Sequence, residues 1–89
     1  MKTPAYTTRF KRDFGLMLSR GKAESKFAAV ASKLLAGEPL EPRHRDHPLK
    51  GNFIGWRDCH LEPDWVLIYR TTPTEVIFGR TGTHSDLFG

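Results

Sequence analysis

The sequence predicts an α+β fold in the element order β-α-α-β-β-β, a helical hairpin packed on one face of a small twisted, antiparallel-rich sheet. Two observations predict it. Apolar residues recur at helical spacing up to Gly37 and in strand-like runs after Gly55. The breaks between the last three runs, Glu62-Pro63-Asp64 and Thr72-Pro73-Thr74, are too short for anything but turns, so those runs form an antiparallel meander.

Residues 4 to 8 read as a short strand. Phe10, Phe14, Met17 and Leu18 then fall on one helical stripe, with Thr7 or Thr8 as N-cap and Arg20-Gly21 as a cationic last turn and glycine stop. Ala23, Phe27, Val30, Ala31, Leu34 and Leu35 repeat the stripe until Gly37 and Pro39 end it. The short connection makes the two helices antiparallel. From Leu40 to Gly55, prolines and glycines around the polar run Arg43-His44-Arg45-Asp46-His47 predict a structured loop, and a loop this long in a small domain is usually functional. Strands follow at Gly55 to Leu61, Trp65 to Thr71 and Glu75 to Arg80. The middle one is apolar on both faces and so central. Thr83 to Gly89 closes the chain with one helical turn.

Eighty-nine residues suffice for one domain, residues 1–89, with a core small enough that stability alone is marginal. The 14 Lys and Arg exceed the 10 Asp and Glu, a formal +4 that favours a polyanionic partner. Residues 1–22 hold six cations and one anion, so the excess lies on the first helix and reads as a docking surface for RNA or an acidic partner. No apolar stretch approaches the roughly 20 residues of a membrane span. The N-terminus runs into charge instead of a signal core, which makes a cytoplasmic location the expectation. Cys59 stands alone, which excludes a disulfide framework, and reads as a small half-buried strand residue.

With helices on one face of the sheet, the other is free to be a site. Alternation puts Trp56, Asp58 and His60 on one face and Arg57 and Cys59 on the other. Asp64 follows in the turn, Arg80 ends the last strand, His84 lies just beyond, and His47 comes from the long loop. Internal cleavage of RNA needs a base for the 2′-OH, an acid for the leaving 5′-oxygen and a cation for the charged transition state. Histidine fits the first two roles and arginine the third. Read singly, His44 and His47 are exposed loop residues, and the aromatics Phe53, Trp56, Trp65 and Phe78 pack the sheet. Phe88, one residue from the end, is as suited to stacking or docking as to packing. His44, His47, His60 and Asp64 match no closed zinc spacing, so no metal or other cofactor is expected.

The segments Asp46-His47-Pro48-Leu49-Lys50-Gly51, Gly55 to Tyr69, and Arg80-Thr81-Gly82-Thr83-His84-Ser85-Asp86-Leu87-Phe88 carry the motifs DHPL-x-G, RD-x-H-x-EPDW and RTGTH-x-x-LF. They closely resemble YafQ-type toxins of the RelE superfamily, without a gap from Asp46 to Tyr69. The resemblance implies the RelE-like microbial RNase fold and the toxin of a type II toxin–antitoxin pair, an endoribonuclease that cuts mRNA on translating ribosomes without a metal. Its functional positions fall on His47, Asp58, His60, Asp64, His84 and Phe88. His84 is then the general acid, with the base among His47, His60 and Asp64. Arg80, Lys50 and Arg57 are candidates for phosphate contacts and Phe88 for stacking on a base. The implied partners are the ribosome, mRNA and a cognate antitoxin with a ribbon-helix-helix DNA-binding N-terminus and a toxin-wrapping C-terminus. Operator DNA is bound only by the toxin–antitoxin complex, and no membrane is involved. The rival readings are a non-enzymatic RNA- or ribosome-binding module and a protein-interaction domain.

Overall fold

The computed structural model describes residues 1–89. Five strands form one sheet: β1 (Thr3–Tyr6), β2 (His47–Pro48), β3 (Arg57–Glu62), β4 (Trp65–Thr71) and β5 (Glu75–Gly82). Three helices accompany them: α1 (Thr8–Ser19), α2 (Glu24–Ala36) and the single turn α3 (His84–Phe88). The strand order is β1-β5-β4-β3-β2. β4 is central, as its apolar faces predict. β1 pairs parallel to β5, and the other pairings are antiparallel.

Local chemistry sets the helix ends. The Thr7 hydroxyl accepts from the Phe10 N–H, capping α1. At the end of α2, Gly37 sits at φ 74°, and the Glu38 N–H returns to the Lys33 carbonyl, a left-handed glycine stop. On the helix-covered face, Phe10, Met17, Phe27, Val30 and Leu34 pack against Cys59, Leu67, Tyr69, Val76 and Phe78. Phe10 lies within 5.4–5.8 Å, ring to ring, of Tyr6, Phe14, Phe27 and Phe78, so truncating it to alanine would cost about 3–5 kcal/mol. Leu18 falls off the stripe and stays exposed. Trp65 is fully buried, its indole N–H donating to the Thr81 hydroxyl at 2.8 Å.

Three loop and strand expectations change. The segment from 40 to 55 contains the strand β2 and two short 3-10 turns, Pro42–His44 and Gly51–Phe53. His44 is buried instead of exposed, because its Nδ1 meets the His60 carbonyl at 2.7 Å and fastens the loop to β3. Cys59 is fully rather than half buried, and desolvation pushes its thiol well above the usual range, so it is inert packing.

On the helix-free face, Val66, Ile68 and Leu87 form a second apolar patch with Leu49, Phe53 and Trp56 beside it. β5 carries a bulge: Ile68 pairs with Arg80 and Tyr69 with Phe78, leaving Gly79 extra. A Cβ on Gly79 would lie 2.5 Å from Cζ3 of Trp56, so only glycine lets the indole rest on the strand there.

Candidate active site

Strand register assembles the site. His47 pairs with Asp58, Asp58 with Ile68, and Ile68 with Arg80, so the four side chains form one row across the sheet. Directly paired residues point to the same face, which here is the face without helices. The next row runs His60, Val66, Gly82. β2 is therefore the element that carries His47 to Asp58, and two residues are enough for it.

α3 supplies the remaining groups. Thr83 and Asp86 close a reciprocal capping box, and the His84 N–H donates to Asp64 Oδ1 at 3.0 Å. His84 Nδ1 lies 2.8 Å from the same oxygen. These backbone and side-chain hydrogen bonds from His84 hold the Asp64 carboxyl below its usual range, keeping it ionised beside the imidazole. The spacing of four between His84 and Phe88 puts both rings on one side of the turn, 6.2 Å apart. The His60 ring lies 5.2 Å from that of His84, and none of its ring nitrogens is hydrogen-bonded within the chain.

His47 Nδ1 lies 2.6 Å from the Arg45 carbonyl and 3.1 Å from Asp58 Oδ1. A carbonyl can only accept, so the Nδ1 proton goes to Arg45, and in the neutral tautomer that this fixes Nε2 is the acceptor. Asp58 Oδ1 gets proximity to His47 but no hydrogen bond, and is buried. Burial pushes the Asp58 carboxyl above the usual range, while the His47, His60 and His84 imidazoles pull it back.

Arg80 donates from Nε to Asp13 Oδ2 at 2.6 Å, across from β5 to α1, in a largely buried ion pair. Its two terminal nitrogens have no partner in the chain and remain available to an anion. Arg57 goes elsewhere. It sits on the helix-covered face, as alternation predicts, donating to Asp46 Oδ1 at 3.2 Å, the oxygen that also accepts from the Tyr69 hydroxyl at 2.6 Å. That cluster pins the loop and keeps Arg57 away from the histidines. Lys50 is exposed and forms no ion pair. His47, Asp58, His60, Asp64, His84, Phe88 and Arg80 thus share one face. No group of three or more His, Cys, Asp or Glu side chains is arranged to hold a metal ion, and His44 is turned to the β3 backbone. Sequence reasoning missed Asp13, which no local pattern links to Arg80 67 residues away.

The family described as "Bacterial toxin of type II toxin-antitoxin system, YafQ" matches residues 2–89. The chain belongs to this family. It is 41% identical over 85 residues to the mRNA interferase toxin YafQ of Escherichia coli K12, covering 94% of this chain and 92% of that one. The YafQ family fold is matched as well. A chain of the crystal structure of the E. coli DinJ-YafQ complex superposes with a TM-score of 0.92 at 39% identity, and the crystal structure of YafQ from E. coli BL21(DE3) with 0.93 at 38%, each match covering all of this chain and all of that one. A metal-bound toxin from Helicobacter pylori superposes with a TM-score of 0.92 at 33% identity, covering 99% of this chain and 100% of that one.

Proposed function

We propose that this family member, residues 1–89 acting as one domain, is an mRNA interferase that cuts mRNA on translating ribosomes by metal-free acid–base catalysis. The observation that carries the reading is the His84–Asp64 pair at 2.8 Å with the His60 ring 5.2 Å from His84, on the face of the sheet that no helix covers. Two imidazoles at that separation flank one phosphate. His60 takes the 2′-OH proton as the oxygen attacks phosphorus, and His84 gives a proton to the departing 5′-oxygen. The ionised Asp64 carboxylate orients the His84 ring through Nδ1, 2.8 Å from its Oδ1. The terminal nitrogens of Arg80 stabilise the extra charge on the phosphoryl oxygens. The products are a 2′,3′-cyclic phosphate and a free 5′-hydroxyl.

His47 supports a second assignment of the base, because its Nδ1 proton is committed to Arg45 and its Nε2 is left to accept. Single-turnover cutting by His47→Ala and His60→Ala separates the two: loss of the chemical step identifies the base, and a raised substrate requirement identifies a binding role.

The same reading includes a cognate antitoxin in the cytoplasm. Arg9, Lys11 and Arg12 are exposed on α1 and form no ion pair, which suits an acidic wrapping segment. A ribbon-helix-helix N-terminus on the antitoxin would bring the complex to operator DNA.

The deciding experiment incubates the protein with translating ribosomes and maps new mRNA 5′ ends. New ends that vanish with His84→Ala support the interferase. Binding without new ends would establish the non-enzymatic module instead. Protein treated with a chelator and dialysed before mixing is expected to cut at the full rate, and a loss restored by metal would overturn the metal-free mechanism.

A further inference from the structure

A recess of about 280 Å³ lies on the helix-free face beside Arg80, floored by Ile68, walled by Phe53 and Trp56, and rimmed by Arg9, Asn52 and Arg80. Its size falls at or below the roughly 300–1,000 Å³ of pockets for drug-sized ligands, the scale of one planar heterocycle. We propose that this recess is a subsite for the base of an RNA nucleotide flanking the cut phosphate; the assignment rests on the proposed RNA cleavage and adds to it the group recognised.

Rings lead from the acid to the recess. His60 and His84 lie 5.2 Å apart, His84 and Phe88 6.2 Å, and Phe88 meets Phe53 edge to face at 5.8 Å. Single-stranded RNA is held by bases stacking on such rings while cations follow its phosphates. The recess supplies both. Arg80 has its Nε tied to Asp13, which leaves its terminal nitrogens for a phosphate, and Arg9 is exposed and unpaired. The Trp56 wall is rigid before any ligand arrives: the indole rests on Gly79, and the Arg70 guanidinium lies 5.1 Å from its ring centre. A wall already in place adds no ordering cost on binding. The Asn52 amide, exposed at the rim, offers both a donor and an acceptor to the edge of a base. The Trp56 indole N–H makes no hydrogen bond within the chain, whereas the Trp65 N–H is committed to Thr81, so the two report differently.

The test titrates the 15N-labelled wild-type chain with the four nucleoside 5′-monophosphates and, separately, with inorganic phosphate. Expected are saturable shifts of the Trp56 indole N–H and the Asn52 side-chain amide with nucleotides and none of comparable size with phosphate, the Trp65 indole staying still. Phe53→Ala should weaken nucleotide binding about fivefold or more. Asn52→Ala, at an exposed position, should change the ranking of the four bases while preserving the fold. Equal shifts with phosphate alone, shifts confined to residues outside the recess, or an unmoved Trp56 indole would each overturn the subsite. Those results would leave ribosome-dependent cutting intact. Nucleotide binding in the recess by a protein that cuts nothing would uphold the subsite and refute the interferase.

Discussion

Replacing Asp58 with asparagine should make the protein more stable and less active. The side chain is 5% exposed, its Oδ1 lacks a hydrogen bond, and the nearest candidate, His47 Nδ1 at 3.1 Å, gives its proton to Arg45. A buried polar atom without a partner costs about 1–3 kcal/mol, and more when charged. Asparagine keeps the shape without the charge but brings an amide that needs its own acceptor, so the net gain at pH 7 is about 1–2 kcal/mol. That corresponds to about 5–10 °C in melting temperature for a chain this small. The pH dependence has a definite sign. Folding raises the Asp58 carboxyl, with burial as the largest cause, so the penalty is full above the folded value and absent below the unfolded value of about 3.9. The advantage of Asp58→Asn should therefore shrink as pH falls from 7 towards 4. Urea or thermal unfolding of both proteins across that range measures it. Single-turnover cutting of ribosome-bound mRNA should meanwhile fall about tenfold or more, each tenfold being about 1.4 kcal/mol of barrier, since the variant removes the charge set among three imidazoles. A variant less stable at pH 7, or an advantage that grows in acid, would refute the reasoning by showing that the histidines more than offset the burial.

Asp64→Asn should keep an acceptor for the His84 N–H and thus the position of α3, leaving the melting temperature unchanged while cutting falls by about 10²-fold; 5′-end mapping beside a thermal melt checks both. Thr81→Val should cost about 1–3 kcal/mol in urea unfolding, because it strands the buried Trp65 N–H and the Val66 carbonyl, whereas Thr81→Ser should recover most of it. Glu62 bonds Lys22 at 2.8 Å and Lys26 at 2.9 Å, and those bonds hold its carboxyl below the usual range. Its stabilisation is present above the unfolded value of about 4.3 and lost as pH falls through the folded one. Glu62→Gln should thus lose up to about 1 kcal/mol at pH 7, less at high salt, and nothing near pH 3.

What the sequence could show depended on how far apart the interacting residues lie. The helices were legible because burial of one stripe repeats every three to four residues, and Phe27, Val30, Ala31 and Leu34 carry it openly. β4 was legible because Trp65 to Tyr69 are all apolar, which suits a central strand buried on both faces, by the helices on one side and by Trp56 and Leu87 on the other. Alternation correctly divided Asp58 and His60 from Arg57 and Cys59, and that division is what keeps Arg57 from the site. β2 was not legible: two residues carry no period, and Pro48 masks them. His44 read as exposed because it lies in a proline-flanked loop, while the carbonyl that buries it belongs to His60, 16 residues on.

By itself, then, the sequence determined the order of the helices and of every strand but β2, the two apolar faces and the family motifs, all of which depend on neighbours within a few positions and on periodicities of 3.6 and 2. Only the tertiary structure decided which way β1 runs beside β5, that Asp13 holds Arg80, and that His47 stands next to Asp58 while Asp64 grips His84. Those pairings join residues 11 to 72 positions apart, and hydrogen bonds and charge burial act on distance in space, which a linear pattern does not record.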